Sequence, residues 1–167
     1  MLLRMVSAQS KWDGSKNVNR DDGFICGDAI SDLRTTNNTL SVWKADSEQD
    51  IEDAIVALAL GRDKVQTLNY LLIDEGELER MEIQISSDVP GDIKGLDEQI
   101  RKKHRDLIEM DYWRIGYLAE YMIGLVNKGE FMSCTKKNIK ALLEKYKSSN
   151  KIATDNMLEK LRNDLKW

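Results

Sequence analysis

The chain has 167 residues, 41% of them hydrophobic and 32% charged, and a formal net charge of −4, a balance that belongs to a single globular domain and excludes a disordered chain. Its longest strongly apolar run, residues 54–60, covers two helical turns where a membrane span needs roughly 20 residues, and the apolar start at Met1 passes straight into polar sequence unlike a signal peptide. The two cysteines, Cys26 and Cys134, form no metal-binding or redox spacing, which excludes a disulfide scaffold and a zinc ribbon and makes a cytoplasmic protein without membrane attachment, metal or cofactor the expectation.

In chain order, residues 7–27 read as loop with a short strand. Asp13-Gly14 and Asp22-Gly23 are turn pairs, and Phe24-Ile25-Cys26 is the stretch apolar enough to pair. Thr39 to Trp43 alternates polar and apolar residues and predicts a strand with Leu40 and Val42 on one face and Trp43 on the other. Residues 48–62 predict a helix: Ser47 is its N-cap, Glu48, Asp50, Glu52 and Asp53 load its positive end, and Ile51, Ile55 and Leu58 make its buried stripe. Residues 68–73 are rich in β-favouring side chains and stop at Asp74-Glu75-Gly76. Met81, Ile83 and Ile85 then alternate with Glu82 and Gln84, the pattern of a half-buried strand.

Pro90, Gly91 and Gly95 make the sharpest break in the chain. Beyond it, Ile100, Leu107, Ile108, Ile115, Leu118, Met122, Leu125 and Val126 recur at helical spacing and predict a long helix over residues 96–128. Gly116 and Gly124 weaken it, each by about 1 kcal/mol against alanine, so one helix or two joined at a kink both fit. Thr135 caps a shorter helix running to Tyr146, and Thr154 or Asp155 caps a last one through Leu165. The expected fold is a single α+β domain over 1–167. A small, mostly antiparallel sheet with one packed helix occupies 1–89, and 92–167 is helical, with one long helix and two shorter ones.

Catalytic signatures are scarce. There is no G-x-S-x-G elbow, no P-loop and no G-x-G-x-x-G. The only histidine, His104, has Asp106 beside it and Asp111 one heptad on. On a helix that arrangement supports general acid–base chemistry by His104, Asp106 and Asp111, and equally a boundary histidine whose ring covers the core. Asp74, Glu75, Glu77 and Glu79 fit no calcium loop and read as a solvated acidic face.

Charge and aromatic residues carry more. Residues 46–98 hold 4 basic and 15 acidic side chains, whereas residues 99–167 hold 15 basic and 9 acidic. Lys136, Lys137 and Lys140 are the candidates for nucleic-acid contact, against an overall pI near 5.2. Trp113, Tyr117 and Tyr121 lie at i, i+4 and i+8, a single stripe that serves either the core or a partner. Trp43 and the terminal Trp167 are further partner candidates, and Trp12 lies near the other terminus.

The favoured expectation is a non-enzymatic protein-interaction subunit of bacterial accessory, regulatory, defence-system or immunity/antitoxin type, working as a homodimer or with a protein partner. Its acidic segment, residues 46–82, would steer a basic partner. The alternatives are an enzyme or nuclease component built on His104, and a nucleic-acid-associated factor using the basic C-terminal helices.

Overall fold

The computed structural model describes residues 1–12 and 27–167. Its elements in order are β1 (Leu2–Val6), α1 (Gln9–Trp12), α2 (Gly27–Ile30), β2 (Leu40–Lys44), α3 (Glu48–Leu60), β3 (Leu68–Ile73), α4 (Glu75–Arg80), β4 (Gln84–Ser86), α5 (Glu98–Arg101), β5 (His104–Ile108), α6 (Tyr112–Asn127), β6 (Met132–Cys134), α7 (Lys136–Ser148) and α8 (Glu159–Leu165). The strands form one sheet in the order β4-β5-β2-β1-β3-β6, with every neighbouring pair antiparallel. This is the expected α+β fold with a helical C-terminal half. The turn pairs and the apolar stretch at residues 13–26 lie outside the described residues.

Side-chain alternation along each strand divides the apolar residues between two cores. On one face, Leu3, Trp43 and Leu68 meet α3, α7 and α8 through Val56, Leu60, Ile139, Leu143 and Leu161. On the other, Leu2, Leu40, Val42, Leu71, Ile73 and Leu107 meet α6 through Leu118, Met122 and Val126, together with Trp12 and Leu78. The sheet is therefore the middle layer of three, and its central strands are apolar on both faces. In β2, Leu40 and Val42 do face one way and Trp43 the other.

Caps place the helices as the sequence predicts. The Ser47 side chain accepts from Asp50 N at the start of α3, and Thr135 accepts from Asn138 N at the start of α7. Residues 53–57 of α3 are all buried, because the sheet covers one side of this helix and α7 another.

Three local expectations are corrected, and one strand was not foreseen. Residues 96–128 are not one helix: α5 ends at Arg101, β5 occupies His104–Ile108, and α6 starts at Tyr112. Ile100, Leu107 and Ile108 match a helical spacing by coincidence, and the backbone pairing of β5 between β2 and β4 overrides it. The alternating stretch at 81–86 becomes a strand only at Gln84. Met81 closes α4, a helix the sequence reading missed, and Glu82 takes a left-handed conformation with φ 55°. The last helix starts at Glu159, after a 3-10 turn at Thr154–Asn156, so neither Thr154 nor Asp155 caps it. Finally, Leu2–Val6 forms a strand between β2 and β3 that the polar context of the N-terminal region concealed.

β1 follows β3 over five residue pairs, from Leu2↔Ile73 to Val6↔Asn69. It follows β2 over only two, Leu2↔Lys44 and Leu3↔Trp43. Beyond Leu3 the two strands part in the middle of the sheet.

Candidate functional site

The most exposed aromatic residues of the described chain sit together at the start of α6. Tyr112, Trp113 and Tyr117 are 82%, 69% and 53% exposed. The Tyr112 and Trp113 rings meet edge to face with centroids 5.7 Å apart, and Trp113 and Tyr117 are neighbours at i, i+4. The opposite side of the same helix, Leu118, Met122, Leu125 and Val126, is buried against the sheet. The expected stripe thus splits: Trp113 and Tyr117 stay in solvent, while Tyr121 is half-buried and its hydroxyl accepts from Asp74 N at 3.3 Å.

Local chemistry holds this end of α6 in place. Asp111 is the N-cap and accepts from Arg114 N at 2.8 Å. The Arg114 guanidinium then donates to the Glu82 carbonyl at 3.0 Å, to the Glu109 carbonyl at 3.1 Å and to the Asp111 carboxylate at 2.9 Å. With Arg114 tied to Glu82 and Tyr121 to Asp74, the 114/117/121 side of α6 faces α4 and the turn after it.

Beside Arg114 lies an open cleft of about 720 Å³ lined by Glu75, Glu79, Glu82, Ile83 and Gln84. Glu75 meets the N-terminal ammonium at 3.0 Å, but Glu79 and Glu82 have no ion-pair partner among the described residues. Arg114 itself forms part of the cleft wall. The exposed aromatic rings of α6 and the Glu79 and Glu82 carboxylates, unpaired among the described residues, are complementary to lysine and arginine side chains, by cation–π contact on the rings and Coulomb attraction at the cleft.

Comparison with protein-family models, curated proteins and solved structures finds no match for this chain.

His104 lies on β5 opposite Trp43, and the two rings meet edge to face at 5.3 Å. Its Nδ1 is 3.0 Å from the Val89 carbonyl, so that nitrogen must carry the proton it donates. Strand spacing brings Asp106 to the same face, with Oδ1 at 3.7 Å from Nε2, and Asp106 also accepts from the Ser41 hydroxyl at 3.2 Å. Asp111 is at the cap of α6, bonded to Arg114, and does not join them. The helical arrangement of His104, Asp106 and Asp111 is corrected accordingly: His104 and Asp106 come together and Asp111 does not.

Trp43 is buried, 4% exposed, and unavailable to a partner. Trp167 folds back onto the first core, donates to Glu144 at 2.6 Å and receives Lys147 over its ring at 4.3 Å. Trp12 is fully buried, its indole N–H donating to Asp32 at 2.7 Å. Lys136 and Lys137 are exposed on the first turn of α7 and Lys140 is half-buried one turn on. They stand near the helix end that favours anions, although Lys136 and Lys140 also act on the Asp164 carboxylate.

Burial pushes the Cys134 thiol above its usual range, the reverse of an activated nucleophile. Among the described residues no group of three His, Cys, Asp or Glu side chains is placed to hold a metal ion, and no helix is long and apolar enough to cross a membrane.

The strongest polar cluster was not found by sequence reasoning. Asp53, 2% exposed on α3, accepts from Lys103 Nζ at 2.5 Å, from the Tyr146 hydroxyl at 2.5 Å and from Gln49 at 3.0 Å. Lys103 also reaches Asp50 at 2.5 Å. Burial, and then the Asp53 carboxylate, push the Tyr146 hydroxyl well above the usual phenol range. Lys103 is raised because its bonds to Asp50 and Asp53 outweigh the opposing effect of burial. The cluster ties α3 to α7 and to the lead-in of β5, and its groups are occupied with one another, so its role is structural. An aspartate amid apolar α3 residues, three positions from Asp50 and four from Gln49, is the signal that would have found it.

Proposed function

We propose that this chain is a protein-interaction subunit whose docking surface is the Tyr112–Trp113–Tyr117 face of α6 together with the acidic cleft at Glu75, Glu79 and Glu82. The observation that carries this reading is the exposure of three adjacent aromatic side chains on a helix whose other face is fully engaged by the core. Aromatic residues clustered in this way are the usual energetic centre of a protein contact. The partner it fits carries a lysine- or arginine-rich segment, since 15 of the 19 charged side chains in residues 46–98 are acidic and charge complementarity accelerates association. A cytoplasmic bacterial accessory, regulatory or immunity-type protein, holding a basic toxin, nuclease or regulatory partner, is the role we infer from this chemistry.

The test is affinity capture from the native host with the wild type and with a Trp113→Ala/Tyr117→Ala double variant, followed by purification of the complex. A stoichiometric complex with a basic protein, weakened at least tenfold by the double variant and loosened by salt, is the expected result. A complex that the double variant forms with unchanged affinity, or a chain that binds nothing at native abundance, refutes the assignment.

A further inference from the structure

Beside β1, beyond the point where it leaves β2, lies a cavity of about 280 Å³ lined by Arg4, Ser7, Asp32, Arg34 and Arg62 among others. Arg4 is the one charged residue of an otherwise apolar strand. Its Nη1 donates to the Ser41 carbonyl at 2.7 Å and its Nη2 to the Asp32 carbonyl, while its Nε is closed off from solvent and has no acceptor among the described residues. Burial pushes the Arg4 guanidinium down to about 10, against the smaller opposing effect of the Asp32 carboxylate. The nearby carboxylate is already engaged: Asp32 Oδ2 accepts from Ser7 N at 2.8 Å, Ser7 Oγ at 2.7 Å and Trp12 Nε1 at 2.7 Å.

The other two arginines are no better matched. Arg62, at the end of α3, sets Nη2 against the Met5 thioether at 2.8 Å, a weak acceptor. Arg34, exposed, follows the 3-10 turn Ser31–Leu33. Among the described residues none of the three makes an ion pair. Among the described residues, three arginines and one engaged carboxylate line this cavity, an excess of positive charge that an anion would answer.

We propose that this cavity beside β1 binds the phosphate group of a small phosphomonoester, held by Arg62 and Arg34 and by the half-buried charge of Arg4. A phosphate dianion matches the surplus charge, and its oxygens match the forked donors of arginine. A second cavity of about 320 Å³ shares Met5 and Arg62 with the first and is lined by Trp43, Leu58, Ile93 and His104. That apolar space takes the organic part of the ligand. None of these residues belongs to the aromatic face of α6, so the two sites are testable apart.

Titration calorimetry at low ionic strength with inorganic phosphate and with phenyl phosphate tests the site. Both are expected to bind one per chain, phenyl phosphate at least tenfold more tightly. Arg34→Gln and Arg62→Gln should each weaken binding at least tenfold with an unchanged circular dichroism spectrum, whereas Lys137→Gln binds as the wild type does. Absence of binding by both ligands, wild-type affinity in the two arginine variants, or an equal loss in Lys137→Gln overturns the site. Equal affinity for the two ligands overturns the assignment to a phosphomonoester.

Discussion

The single side chain with most at stake is the Asp53 carboxylate, because it is enclosed and its Lys103 and Tyr146 partners come from elsewhere in the fold. Asp53→Ala leaves Lys103 and the Tyr146 hydroxyl facing an emptied site, and is expected to cost about 3 kcal/mol in urea unfolding. The pH dependence follows from the direction of the shifts. Tyr146 and Lys103 are both raised in the folded protein above their ordinary values of 10.0 and 10.5. Each therefore contributes stability that is complete below its unfolded pKa and is lost as pH rises through the folded one. Urea midpoints are expected to hold from pH 7 to pH 9 and to fall above about pH 10, with a shallower fall in Tyr146→Phe. A second residue-scale prediction concerns Gly91, where an added Cβ would stand 2.7 Å from the Trp43 ring. Gly91→Ala should cost about 1–3 kcal/mol by overpacking, read in the same unfolding experiment; an unchanged midpoint would show that the indole yields.

At the scale of the element, α6 does two things at once. Its Leu118–Met122–Val126 side closes the second core, and its Tyr112–Trp113–Tyr117 side is largely exposed. Trp113→Ala is accordingly expected to change stability by no more than about 0.5 kcal/mol while reducing partner affinity at least tenfold, and a large stability loss would show the ring to be part of the fold. The N-cap of α3 behaves in the opposite way. Ser47→Ala removes an acceptor for Asp50 N at 3.1 Å and should cost about 1 kcal/mol in stability with partner affinity unaltered.

For the whole molecule, charge arrangement decides what assembly is open to it. An isologous dimer through the α6 face would set the acidic cleft at Glu75, Glu79 and Glu82 beside the same residues of a second copy, and like charges in one contact oppose association. The sheet offers little alternative, because its outer strands β4 and β6 have three residues each and edges this short resist edge-to-edge pairing. Light scattering on the isolated chain is expected to give the 19.2 kDa monomer at low and high salt, with higher mass only in the presence of the basic partner. A dimer at low salt would show that the aromatic face recognises its own copy instead.

Local patterns determined much of this architecture. The residues of β2, α3, β3 and α7 carry their own instructions, in the alternation of Leu40, Val42 and Trp43, in the Ser47 and Thr135 caps, and in the β-favouring run Leu68–Ile73. Charge counting likewise exposed the acidic middle of the chain, and the spacing of Trp113 and Tyr117 marked one face of a helix. Tertiary structure alone decided three things. It made a strand of His104–Ile108, whose apolar spacing imitates a helix, because β2 and β4 supply the backbone partners. It chose which aromatic residues are exposed, burying Trp12 and Trp43 and leaving Trp113 in water, since periodicity names a face but not what covers it. And it gathered Arg4, Arg34 and Arg62 from three separate segments around one cavity beside β1, a juxtaposition of charge that no local window contains.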